Sequence, residues 1–247
     1  FFGASWTFGT ILVFILIALY CVYVLKSHPP VYVPRENIFV SLSQGVRFVF
    51  GNRMMLGAMT LDLFSVFFGG AVALLPVFAN DILRVGSEGL GLMRAATASG
   101  AVLTMFAMTR FSPMGKPWRN LLIAVAGFGV SIFCFGLSTN FYLSLFFLFC
   151  EGAFDSISVI IRSTIMQLLT PDEMRGRVSS VNSMFIGSSN EMGAFESGLA
   201  ARLLGTVPGV LFGSTVTLLV VTATWLKTKK LVPLGLHEIN RKPEEPR

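Results

Sequence analysis

Of the chain's 247 residues, 53% are hydrophobic and only 13% charged, against roughly 25% charged in soluble domains, so the composition excludes an ordinary soluble protein. The net charge is +6, yet the basic residues sit in short connectors with no aromatic-studded basic face, which argues against a nucleic-acid partner. Cys21, Cys134 and Cys150 lie inside apolar runs without CxxC or Cys/His spacing, so no disulfide framework, metal site or cofactor is expected.

The first predicted helix, Phe1 to Leu25, carries no charged residue, and about 20 apolar residues suffice to cross a bilayer. It opens inside a hydrophobic span with no initiator Met and no cleavable signal, so the chain reads as the C-terminal part of a larger protein. In the connector that follows, residues 26–53, Ile38, Leu42, Val46 and Val49 recur at helical spacing among Glu36, Gln44 and Arg47, the pattern of a short interfacial helix. His28 here and His237 in the tail stand alone beside membrane ends and read as solvated loop histidines.

Six further spans are expected: Met54 to Ala79, Gly89 to Thr109, Leu121 to Leu137, Phe141 to Leu169, Val178 to Leu204, and Val207 to Leu226. The ten-residue alternation of a membrane β-barrel is missing, which leaves an all-α membrane protein with seven transmembrane helices. Pro76 is placed to bend the second span. In "GLGLMRAATASGA", small residues at four-residue spacing, such as Ala96 and Gly100, predict close helix packing. Before the sixth span, "TPDEMRGRVSSVNSMF" offers Thr170 as a cap, Pro171 at the first helical position and Glu173 to complete a capping box. Arg175 and Arg177 follow at once, where the positive end of a helix dipole disfavours them. The tail "LHEINRKPEEPR" reads as disordered.

Connector charge sets the topology. Lys26, Arg35, Arg47 and Arg53 follow the first span; Arg110, Lys116 and Arg119 the third; Arg175 and Arg177 the fifth; Lys227, Lys229 and Lys230 the seventh. The alternate connectors hold little, which by the positive-inside rule makes the basic set cytoplasmic, the N-terminus external and the C-terminus cytoplasmic. A cytoplasmic position beside anionic lipid also accommodates the two arginines that the dipole disfavours.

Charges inside spans cost at least about 2.5 kcal/mol each on insertion scales, so each needs a partner, a wet cavity or a place near an end. Asp62 lies in the second span and Arg94 in the third; Glu151, Asp155, Ser158 and Arg162 share one face of the fifth. On the sixth, Arg175, Asn182, Ser189 and Glu196 recur every seven residues, a second stripe, while Glu191 is turned to another neighbour. Two polar stripes on adjacent helices suggest a wet pathway in which Glu151, Asp155, Glu191 and Glu196 bind cations or exchange protons, with Arg94 and Arg162 as their partners or as contacts for an anionic substrate. The competing reading ties each acid to an arginine in a structural clasp.

"NRMMLGAMTLDLFSVFFGGAVALLPVFANDIL", "GLGLMRAATASGA" and "TPDEMRGRVSSVNSMF" together resemble the C-terminal half of major facilitator superfamily transporters. The likeness is to the transmembrane secretion effector branch, which contains the enterobactin exporter and macrolide efflux proteins. It implies that the seven helices are the sixth to twelfth of twelve. Residues 1–25 are then the last helix of the N-terminal bundle, 26–53 the central cytoplasmic loop, 54–226 the C-terminal six-helix bundle and 227–247 a cytoplasmic tail. The loop signature of that family expects an Asp after the third span, whereas "RFSPMGKPWRN" has none.

The resemblance implies a secondary active exporter in the bacterial inner membrane, moving hydrophobic drugs or siderophores by proton antiport. Its partners are the bilayer, a small-molecule substrate and the absent N-terminal bundle. A polytopic membrane enzyme or a non-transporting sensor is the alternative, but the sequence offers neither a nucleophile with its base nor an effector domain.

Overall fold

A computed structural model of the protein describes residues 4–25, 37–111, 113–229, 231–233 and 235. Lys26, His28, Arg35, Glu36, Lys230, His237 and the polar tail, on which part of the topology and linker readings fell, lie outside the described residues. The described residues are helical, with no strand among them.

Helix α1, Ala4–Val24, belongs to a unit of its own, Phe1–Asn37, and carries no charged residue. The second unit holds α2 (Ile38–Gly51), α3 (Arg53–Phe68), the short turn α4 (Leu75–Val77), α5 (Gly86–Arg110), α6 (Pro117–Leu137), α7 (Phe141–Leu169), α8 (Arg175–Leu204) and α9 (Thr206–Lys227). Five helical stretches among the described residues are long and apolar enough to cross a membrane: Arg53–Ile82, Gly86–Arg110, Pro117–Leu137, Phe141–Leu169 and Thr206–Lys227. Two of the seven expected spans do not reach that standard. Within α1 the apolar stretch is Phe8–Val24, and α8, though 30 residues long, carries Asn182, Asn190, Glu191 and Glu196 along its length.

Local chemistry sets several helix ends. Asn52 caps α3, its Oδ1 accepting from the Met54 and Met55 amides at 3.0 and 3.2 Å, and Asn140 caps α7 in the same way through Tyr142 and Leu143. Pro117 opens α6, where its missing N–H costs nothing. Gly205 ends α8 at φ +96°, a conformation that side chains other than glycine's rarely accept.

The capping box expected at Thr170 does not form. The Thr170 hydroxyl instead donates to the Met166 carbonyl at 2.6 Å, closing the last turn of α7. A 3₁₀ turn over Asp172–Met174 then leads into α8 at Arg175 with no side-chain cap. A hydroxyl can bond the carbonyl four residues before it in its own helix, and here that local acceptor competes successfully with the cap. The two arginines find local partners: Arg175 pairs with Asp172 at 2.9 Å, and Arg177 donates to Gln44 of α2.

Helix α2 is docked on the protein. Leu42, Phe48 and Val49 pack against Met55, Met166, Val178 and Val181, and a Cβ on Gly45 would lie 2.9 Å from the Arg177 carbonyl oxygen. Val46, expected on the same apolar face, is turned outward with Phe39 and Phe50.

Beside the cluster under α2, the core has two tiers. Ala58, Leu61, Trp118, Leu122, Ile161 and Val221 fill the end where α3 begins and α9 finishes. Leu75, Phe78, Met93, Phe135, Leu148 and Val210 fill the other. Between the tiers the helix begun by α3 breaks at Gly69–Gly70, continues as a 3₁₀ turn over Ala71–Leu74, passes through α4 and ends in a π turn, Phe78–Ile82. Pro76 was expected to supply the bend, but it sits in the first turn of α4, and the ladder is interrupted earlier, at the paired glycines.

Candidate functional site

The break in α3 faces a cavity of about 380 Å³. Gly69 and Gly70 form one wall, Phe128 of α6 another, and Asn190 and Ala194 of α8 a third. Glu151 and Asp155, one turn apart on α7, line the fourth. Glycine is required on the first wall at Gly69, where a Cβ would run into the Ser65 carbonyl oxygen and the Phe128 ring.

Glu151 is buried, with the Thr97 hydroxyl of α5 beside its carboxylate. Asp155 is half-buried. Among the described residues neither carboxylate has a cation within ion-pair distance; the ion pairs there are Asp62–Arg162 and Asp172–Arg175. Two acids without a fixed counter-charge among the described residues, in a cavity that also holds an amide side chain, have the chemistry to take up a proton, a cation or a cationic part of a substrate.

Arg162 does not serve these acids. It pairs with Asp62 of α3, and the two side chains are only 4% and 10% exposed. The pair lies about one helical turn from the cavity on α3 and two on α7, level with the tier around Trp118, and it ties α3 to α7. One guanidinium nitrogen, Nε, is left without an acceptor.

The other residues named from sequence are dispersed. Asn182 lines a separate cavity of about 410 Å³ between the end of α7 and the start of α8, and its buried Oδ1 has no partner among the described residues. Arg94 and Glu191 are exposed, while Glu196 is half-buried and lies outside the central cavity. Ser189, on the same expected stripe, is buried with its hydroxyl turned back to the Phe185 carbonyl at 2.7 Å. Sequence reading missed Asn190. Stepping along α8 by sevens passes over it, although an amide inside a long membrane helix is itself a signal.

Comparison with known proteins adds the family. The description transmembrane secretion effector is matched over residues 1–243. Enterobactin exporters EntS of Shigella boydii serotype 18 and Escherichia coli O81 are each 25% identical over 179 residues, which is 72% of this chain and 43% of theirs. The chain thus spans less than half the length of the curated relatives it matches. No solved structure matches.

Proposed function

The chain belongs to the transmembrane secretion effector family of the major facilitator superfamily, and from that premise we propose that it is the C-terminal half of a secondary active exporter of small molecules. It is a multi-pass membrane protein of a family of transporters, not enzymes. In this reading residues 54–226 form the C-terminal bundle, α1 closes the preceding bundle, residues 26–53 link the two, and the C-terminus is cytoplasmic. Cargo binds between the bundles, which rock to expose it to either side in turn.

The observation that carries the proposal is the cavity beside the broken helix, with Glu151 and Asp155 on its wall. Discontinuous helices around midplane sites are a recurrent device of secondary transporters, because unwound backbone can line a cavity. Glu151 and Asp155 take up the coupling proton, and Asn190 offers the cargo a hydrogen bond. The relatives named as enterobactin exporters favour siderophores, and the resemblance to macrolide efflux proteins adds hydrophobic drugs as the second cargo class.

Transport by the full-length protein in vesicles tests this. Glu151→Gln and Asp155→Asn are each expected to lower proton-driven transport at least about tenfold, as removal of a general acid or base does, and an uncoupler to abolish it. Transport unaffected by both substitutions removes the acids from the mechanism. Movement of cargo insensitive to the uncoupler removes proton antiport.

A further inference from the structure

A cavity of about 420 Å³ lies between α3 and α9, away from the central site. It is bounded at one end by two cations. Arg53 opens α3 and Lys227 closes α9, so the antiparallel pair brings both to one mouth. Both are exposed, and neither is in an ion pair among the described residues.

Beyond the mouth the lining turns apolar and runs along the helices. Thr60 and Phe64 continue one face of α3, and Thr224 and Val220 continue one face of α9. Phe64 is eleven positions from Arg53, roughly 16 Å at the helical rise. Gly57 makes room between them, with the Trp118 ring close behind it, where a Cβ would lie 3.0 Å from the indole.

Lining and length together select the occupant. Beyond its mouth the groove is mostly apolar and runs along both helices for the reach of an extended hydrocarbon chain. Two unpaired cations at the mouth add the requirement for an anionic head. Basic pockets between membrane helices gather anionic lipid in this way, each cation contributing about 1 kcal/mol near the surface.

We propose that an anionic phospholipid is held between α3 and α9, its phosphate between Arg53 and Lys227 and one acyl chain in the groove toward Phe64 and Val220. The site requires a membrane setting and is independent of whether any cargo is moved.

The test uses the full-length protein in neutral detergent, titrated with phosphatidylglycerol, with phosphatidylcholine of the same chains, and with glycerol phosphate. Native mass spectrometry counts retained molecules, and thermal unfolding reads stabilisation. Phosphatidylglycerol is expected to be retained and to raise the melting temperature. Arg53→Gln with Lys227→Gln is expected to weaken retention about 30-fold, from two such contributions. Because both cations are exposed, the double variant keeps the parent's unfolding profile in lipid-free detergent. Thr60→Trp, which fills the groove and spares the cations, is expected to lose the lipid too. Equal retention of phosphatidylcholine, or equal stabilisation by glycerol phosphate, overturns the proposal. So does a double variant that binds as the parent does, or a full-length protein that retains no lipid.

Discussion

Asp62 and Arg162 have almost no water around them, so their value depends on their being together. Breaking a buried pair leaves an uncompensated charge, at a cost of about 3–5 kcal/mol, whereas replacing both members with apolar side chains is often neutral or stabilising. Asp62→Asn and Arg162→Gln are therefore each expected to lower thermal stability markedly, and Asp62→Leu with Arg162→Met to restore most of it, read by fluorescence-detected thermal unfolding. A double variant that is stable yet fails to transport would move the pair from scaffold to mechanism. Sequence made Asp62 legible as an expensive charge but not its partner. Arg162 shares a face with Asp155, yet two turns along α7 it meets a different neighbour, and its long side chain reaches α3 instead. At Glu151 the prediction concerns water. In a background without Cys21, Cys134 and Cys150, Glu151→Cys in the full-length protein is expected to react with a water-borne thiol reagent. A thiol there that stays unreactive in every transport state would show that no wet route reaches the cavity.

Among elements, α5 and α7 meet backbone to backbone at two points. A Cβ on Gly100 would lie 2.0 Å from the Phe149 carbonyl oxygen, and one on Gly152 would lie 2.1 Å from that of Thr97. Backbone meets backbone at both points, so no side-chain adjustment relieves the clash. Gly100→Ala or Gly152→Ala is expected to destabilise by at least about 1–3 kcal/mol, the cost of overpacking, measured as a lowered unfolding temperature in detergent. The small-residue spacing around Gly100 announced close packing; its complement on α7 was hidden, because a lone glycine beside Glu151 has no periodicity to betray it. The docking of α2 was half legible. Leu42 and Val49 followed the predicted face, but the contact point is Gly45, whose use depends on a helix more than a hundred residues away. Gly45→Leu is expected to lift α2 from α8 and to speed cleavage of the 26–53 segment by added protease in the folded protein.

Across the whole molecule, hydropathy made the helical class plain, and the family match supports the same reading over residues 1–243. The span count was harder to read, since α8 is as long as its neighbours but carries polar side chains that a window of residues averages into a weak signal. Topology reporters fused after Lys227 are expected to show a cytoplasmic C-terminus, and reporters in the Ser138–Asn140 turn an external one; the reverse pattern would invert the whole assignment. The interruption at Gly69–Gly70 bears on membrane insertion. The 16 residues of α3 cover about 24 Å, short of the roughly 30 Å of hydrocarbon, so the gap falls inside the bilayer's depth and not at its margin. Peptide groups released from their ladder there cannot be left facing lipid tails. The break meets that demand within the protein: the Gly69 amide donates to the Ser65 carbonyl, the Gly69 and Gly70 carbonyls accept from the Ala71 and Ala73 amides, and Gly70 is pressed against Gly193 of α8.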